Sequence, residues 1–200
     1  PSISDASEAF IISVISASAY HMRALQACRD VLPSMPAFYI SAGFIRNAVW
    51  DVMHDYNRMT PLADLDVIYY DPSDAGENTE KNWEHELQSV APDMPWSVKN
   101  QARMHLRNND EPYKNIEDAL CHWCETVTPI AIRLIDKTNM EIIAPLGVDD
   151  LLSGNCRPTP HALKTADKLS QYRQRLIDKK WDEIWPKIKL HNLNEGGTLR

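Results

Sequence analysis

No stretch of this chain approaches the roughly 18 to 20 uninterrupted apolar residues that a bilayer-spanning helix requires. The best candidate, Phe10 to Ala19, is too short, and it follows Asp5 and Glu8 where an export signal would carry Lys or Arg. A membrane-spanning or exported protein is therefore not expected, and the reading is a cytoplasmic one. Cysteine is scarce: Cys28, Cys121, Cys124 and Cys156 are four in 200 residues. A chain of this length needs no staples, so reduced thiols are the default. Internal repeats and low-complexity segments are absent. Positive charge is sparse relative to negative over most of the chain. The net charge is −7, and residues 157–200 hold ten Lys/Arg against five Asp/Glu, leaving eleven against twenty-three in the first 156. An acidic body argues against extended nucleic-acid binding by charge alone, whereas the basic tail, with Lys164, Lys168, Arg173, Arg175, Lys179 and Lys180, keeps a phosphate-bearing partner open.

What is present fits one ordinary globular domain, with 44% hydrophobic and 24% charged residues. An N-terminal helical segment (1–35), a core (36–156) and a C-terminal helical extension (157–200) are expected to form one compact unit. Asp5 with Glu8 resembles a capping box, and Ile11, Ile15, Met22, Leu25 and Leu32 recur at helical spacing until Pro33 and Pro36 stop them. Ala37 to Ile40 reads as a buried strand, Ile45 to Met53 as a helix with an apolar stripe, and Glu77 to Val90 as a charged helix closed by Pro92. Trp96 to Lys99 predicts a further strand, followed by helices over 100–107 and 115–123. Ile130 to Ile135 and Met140 to Ile143, joined by four turn-like residues, predict a hairpin. A last helix is expected over about 161–181. This alternation implies a mixed α/β or α+β domain.

The most informative run is Leu62 to Tyr70, which contains Asp64-Leu65-Asp66. Successive strand side chains point to opposite faces, so Asp64 and Asp66 share one face while Leu65, Val67 and Tyr69 share the other. Two carboxylates side by side repel and call for a cation; Mg²⁺ is the usual one, since it takes oxygen ligands and commonly uses one or two carboxylates plus substrate phosphates. The bland alternative is the solvent end of a strand. Cys121-His122-Trp123-Cys124 is a second motif with two readings, a zinc or redox site against two half-buried helix cysteines. Zinc would need further ligands, and Cys156 with His161 is the nearby offer.

Ser41-Ala42-Gly43-Phe44-Ile45-Arg46-Asn47, taken with Asp64-Leu65-Asp66, resembles the signature of the nucleotidyltransferase superfamily of polymerase β and the CCA-adding enzymes. There the pattern is Gly-Gly-x-Val-Arg-Asp; here Ala42 and Gly43 stand for the glycines, Arg46 matches the arginine and Asn47 replaces the acid. Three longer blocks, Ala42 to Asp51, Trp96 to His105 and Ala144 to Leu152, resemble a bacterial nucleotidyltransferase-like family. The resemblance implies a nucleotidyltransferase-type mixed sheet with flanking helices. It also implies a nucleoside triphosphate bound at Ser41, Ala42, Gly43 and Arg46, and Asp64 and Asp66 as catalytic ligands of Mg²⁺ or Mn²⁺. By proximity, Asn100, Gln101 and Arg103 are candidate nucleotide contacts and His105 a candidate base.

In superfamily chemistry a hydroxyl attacks the α-phosphate in line and pyrophosphate leaves, with a third carboxylate on the next strand. Here that strand offers Ser97 and Lys99; Asp93 or Glu125 is the available substitute. Three functions follow: an active transferase onto a small-molecule, protein or RNA hydroxyl, a nucleotide-binding module without turnover, and a zinc or redox protein built on Cys121 and Cys124.

Overall fold

The computed structural model describes residues 2–193. Two helices open the chain, α1 (Asp5–Ser16) and α2 (Ala19–Val31), each started by a serine whose hydroxyl accepts a backbone N–H: Ser4 from Ser7, and Ser18 from His21. The expected 5–32 helical region is thus two helices, divided where Ser18 restarts the winding. The chain continues through β1 (Tyr39–Ser41), α3 (Gly43–Met53), β2 (Leu65–Tyr69), α4 (Glu77–Val90) and β3 (Trp96–Asn100). A short 3₁₀ turn, Gln101–Arg103, leads into α5 (Met104–Asn108), then α6 (Ile116–Cys121) and the hairpin β4 (Ala131–Leu134) and β5 (Met140–Ile143). The C-terminal part holds α7 (Asp149–Ser153), β6 (Asn155–Cys156), α8 (Ala166–Lys179), α9 (Trp181–Ile184) and β7 (Lys189–Leu190).

The main sheet has the order β3-β2-β1-β4-β5. Only β2 and β3 run parallel, joined through α4; the other neighbours are antiparallel. This is the mixed sheet with flanking helices that the sequence predicts. Its outer edge at β3 is closed by α4: Glu84 accepts from the Val98 amide at 2.8 Å and Glu80 from the Asn100 amide at 2.7 Å. Carboxylates thus take the unpaired ladder donors that would otherwise invite another strand.

The two faces have different jobs. Ile40, Leu65, Val67, Val98 and Ile132 join α1, α2 and α3 in one apolar cluster that runs from Ile11 to Leu190. On the other face, Tyr39, Ile68 and Ala131 pack under Leu120 of α6. Register puts Ser41, Asp66 and Ser97 in one row across the middle strands, next to that second cluster.

The expected single helix over 161–181 is divided. Residues 158–165 form a bridge and turns, Thr165 caps α8 by accepting the Lys168 amide, and Lys180 at φ 51° separates α8 from α9. Trp181 and Trp185 then pack edge-on against Trp50 of α3, and Trp185 donates to Asp51 at 2.8 Å. The C-terminal segment is therefore pinned beneath the helix that follows β1. Among the described residues, no helix is long and apolar enough to cross a membrane.

Candidate functional site

A cleft of about 380 Å³ opens on the α6 side of the sheet. Its floor is Asp66, Ile68, Ser97 and Lys99 from β2 and β3, and Ala42 stands at one side. The 122–128 segment supplies His122, Trp123, Cys124, Glu125 and Thr128, and α8 supplies Lys168, Gln171 and Arg175. Gln101, Met104, Arg107, Asn108 and His161 complete the rim.

Asp66 is a mostly buried carboxylate that accepts no protein hydrogen bond among the described residues, and Asp64 lies exposed just before β2. Burial pushes the Asp66 carboxyl up from its ordinary range and the neighbouring Asp64 charge pushes it further; Arg46, Arg175 and Lys179 pull the other way. A carboxylate held in this way is short of positive charge. The second row of acid comes from elsewhere in the chain: Glu125 lines the same cleft, 1% exposed, and is ion-paired to Nε of Arg175. Its segment is fixed by exchange with 157–159, Thr126 N–H donating to the Arg157 carbonyl at 2.9 Å and Thr159 N–H to that of Cys124 at 2.9 Å. Asp93, the other substitute offered by sequence, is exposed and ion-paired to Arg23, and it does not line the cleft.

The turn after β1 departs from the expectation for its two small residues. Left-handed backbone falls on Ala42, at φ 59° and ψ −122°, and not on Gly43. Gly43 is small for a different reason: a Cβ there would lie 3.1 Å from Nη2 of Arg46. No side chain caps the first turn of α3, so the positive end of its dipole carries no side-chain partner. Arg46 itself is buried, 4.1 Å from the Trp181 ring centroid, with Nη1 donating to Thr128 at 3.1 Å and Nε without a partner among the described residues. Burial draws its pKa down to about 10, partly offset by Glu125. It sits beneath the turn and does not line the cleft.

The remaining sequence candidates separate. Gln101 lines the cleft, but Asn100 is spent on the scaffold: its amide bonds the backbone of Asp71, Asp74 and Ala102. Arg103 grips Glu80 with two nitrogens at 2.7 and 2.6 Å. Ser41 donates to the Asp66 carbonyl at 2.9 Å, and His105 bonds the Ala102 carbonyl at 2.9 Å; neither lines the cleft. Cys124 reaches the cleft, whereas the cluster of potential metal ligands found among the described residues consists of Asp110, His122 and His161 and holds no cysteine. The wall made by His122, Lys168, Gln171 and Arg175 brings to the cleft two residues of the basic tail that the sequence marks for a phosphate-bearing partner, Lys168 and Arg175; with Lys179 they fall at i, i+7 and i+11 of α8. Gln171 leaves no mark in the sequence.

With this geometry in hand, comparison with known proteins is decisive on family. Residues 32–190 match a family described as Nucleotidyltransferase. The chain belongs to this nucleotidyltransferase family. A solved NMR structure described as revealing a CCA-adding enzyme head domain is 30% identical to this nucleotidyltransferase, with a TM-score of 0.79, covering 91% of this chain and 94% of that one. A solved tRNA-processing enzyme in its apo form is similar at 14% identity and a TM-score of 0.47, over 98% of this chain and 46% of that one. No protein of curated function matches the chain.

Proposed function

We propose that this nucleotidyltransferase moves a nucleoside monophosphate from a triphosphate to a hydroxyl acceptor, using Mg²⁺ held by Asp64 and Asp66, with Glu125 as the third carboxylate. The observation that carries the reading is the Asp66 carboxylate: mostly buried, free of protein partners among the described residues, its pKa raised by burial and then by Asp64, and in one cleft with Ala42 and Glu125. The donor set fits a hard cation, because carboxylate oxygens are what Mg²⁺ or Mn²⁺ takes, and a cation there offsets the repulsion that the acids impose on each other. When bound, the ion supplies charge stabilisation to the attacking and leaving oxygens.

The protein's own groups supply the rest. The uncapped start of α3 and the close backbone at Ala42 and Gly43 receive phosphate oxygens. Arg46 sets a positive charge under that turn without touching the ligand. Lys99 and Arg175 face the cleft and stabilise charge that builds on departing pyrophosphate. Glu125, ion-paired to Arg175, is placed to bind a cation or to accept the acceptor's hydroxyl proton. The likeness to a CCA-adding enzyme head domain supports including RNA ends in a panel with small-molecule and protein hydroxyls.

A second reading, a nucleotide-binding module without turnover, is favoured by one observation: Ser97 and Lys99 occupy the strand beside Asp66. Pyrophosphate release over an acceptor panel separates the two. The transferase reading expects release with Mg²⁺ and at least one acceptor, abolished in Asp66→Asn and Glu125→Gln. Triphosphate binding without release on every acceptor class would support the module instead.

A further inference from the structure

One cluster on the cleft wall has no part in the transferase reading. His122 and His161 lie with ring centroids 4.4 Å apart, Asp110 stands behind them, and one ligating atom from each of the three is within 4.8 Å of the others. Both imidazoles line the cleft.

One hydrogen bond fixes a proton in the cluster. Nδ1 of His122 lies 2.7 Å from the Asp118 carbonyl oxygen, which can only accept, so Nδ1 carries the hydrogen and Nε2 presents a lone pair. Nε2 of His161 lies 3.3 Å from Oδ1 of Asp110, and Nδ1 of the same ring is buried with no partner among the described residues, in a residue only 9% exposed. Asp110 also accepts from Tyr113 on Oδ2 and Lys168 on Oδ1, both at 2.8 Å. The cluster therefore gathers two imidazoles and a carboxylate around one spot and leaves ring nitrogens that no protein group uses among the described residues.

We propose that His122, His161 and Asp110 bind a divalent ion of the zinc class, each offering one ligand atom, with the remaining coordination open to the cleft that both imidazoles line. Imidazole nitrogens select Zn²⁺, Co²⁺ or Ni²⁺ over Mg²⁺, so the site is chemically separate from the carboxylates of Asp64 and Asp66. Donors around one zinc stand about 3.3 Å apart; His122, with its side chain 21% exposed, has room to close the difference. Lys168 neutralises Asp110 and weakens the site, which makes it an exchangeable one facing the same substrate cleft.

The test needs no nucleotide and so stands or falls apart from the transferase reading. Tag-free protein in excess Mg²⁺ is titrated with Zn²⁺ by calorimetry and with Co²⁺ by visible absorption. The expected result is about one equivalent bound, weakened about ten-fold or more in His122→Ala and in His161→Gln, tightened in Lys168→Met, and unchanged in Asp66→Asn. His122 is on the cleft surface, so His122→Ala folds and carries the test even where the buried His161 variant does not. Absence of binding in the wild type, undiminished binding in His122→Ala, or loss in Asp66→Asn would each overturn the proposal.

Discussion

Replacing Ala42, the residue at the N-cap of α3, by glycine should stabilise this protein. Ala42 has φ 59° and ψ −122°; the left-handed well open to L-residues lies near ψ +30° to +60°. A non-glycine residue outside every such well costs about 1–3 kcal/mol. Against that relief stand about 0.5–1 kcal/mol of extra chain entropy for glycine and somewhat under 1 kcal/mol for the buried methyl. At mid-range values the net is a gain of about 0.5 kcal/mol, or a rise in Tm of about 1–2 °C for a chain of this size. Ala27→Gly, in the middle of α2, is the control: ordinary helical backbone there loses about 1 kcal/mol. Differential scanning calorimetry of both variants reads the comparison directly. A fall in Tm for Ala42→Gly that matches Ala27→Gly would refute the strained turn. Because the Ala42 side chain contributes nothing to phosphate recognition, Mg²⁺-dependent triphosphate affinity should stay within about three-fold, under 1 kcal/mol.

Asp66 carries a pH signature whose sign follows from its raised pKa. The folded state holds this proton to higher pH than the unfolded chain, where an Asp titrates near about 3.9. Stability is therefore lost as pH rises from that value through the folded pKa, and Asp66→Asn should raise apo-protein stability at neutral pH, with a gain that shrinks on acidification. Thermal melts from pH 4 to 8 check this, and a variant less stable than wild type at pH 7 would count against it. Asn100→Ala should lose about 3 kcal/mol, since it strips bonds from the backbone of Asp71, Asp74 and Ala102 in a buried place; urea unfolding measures it, and a loss below about 1 kcal/mol would contradict the scaffold role. Arg46→Ala should cost about 2–4 kcal/mol through the cavity and the lost Trp181 contact, seen by the same method; an unchanged midpoint would place the guanidinium elsewhere.

The strand and helix framework was largely legible because its elements are long enough to show a period. The run after Gly76, closed by Pro92, reads as a helix and folds as α4; the alternation after Ala63 reads as a strand and folds as β2. Short elements escaped. α7 has five residues, and β6 and β7 are two-residue strands that pair across 34 positions, Asn155 with Lys189, so neither leaves a periodic mark. The division of the last helix at Lys180 is a single left-handed residue, invisible to hydrophobic spacing.

Site residues were legible by type and not by direction. Period two determines the face of Asp66, which lines the cleft. Arg46, Asn100 and Arg103 have the chemistry of ligand contacts, yet their side chains turn toward Thr128, Asp71 and Glu80. Glu125 and Arg175 meet across fifty residues through the 124–126 and 157–159 exchange, a contact that no local pattern encodes.

If Asp66 binds a triphosphate through a divalent cation, calorimetric titration with a non-hydrolysable triphosphate will show binding by the wild type in Mg²⁺, loss in EDTA, and loss in Asp66→Asn despite its higher melting temperature. Equal affinity in EDTA, or undiminished affinity in Asp66→Asn, would contradict that mode of binding.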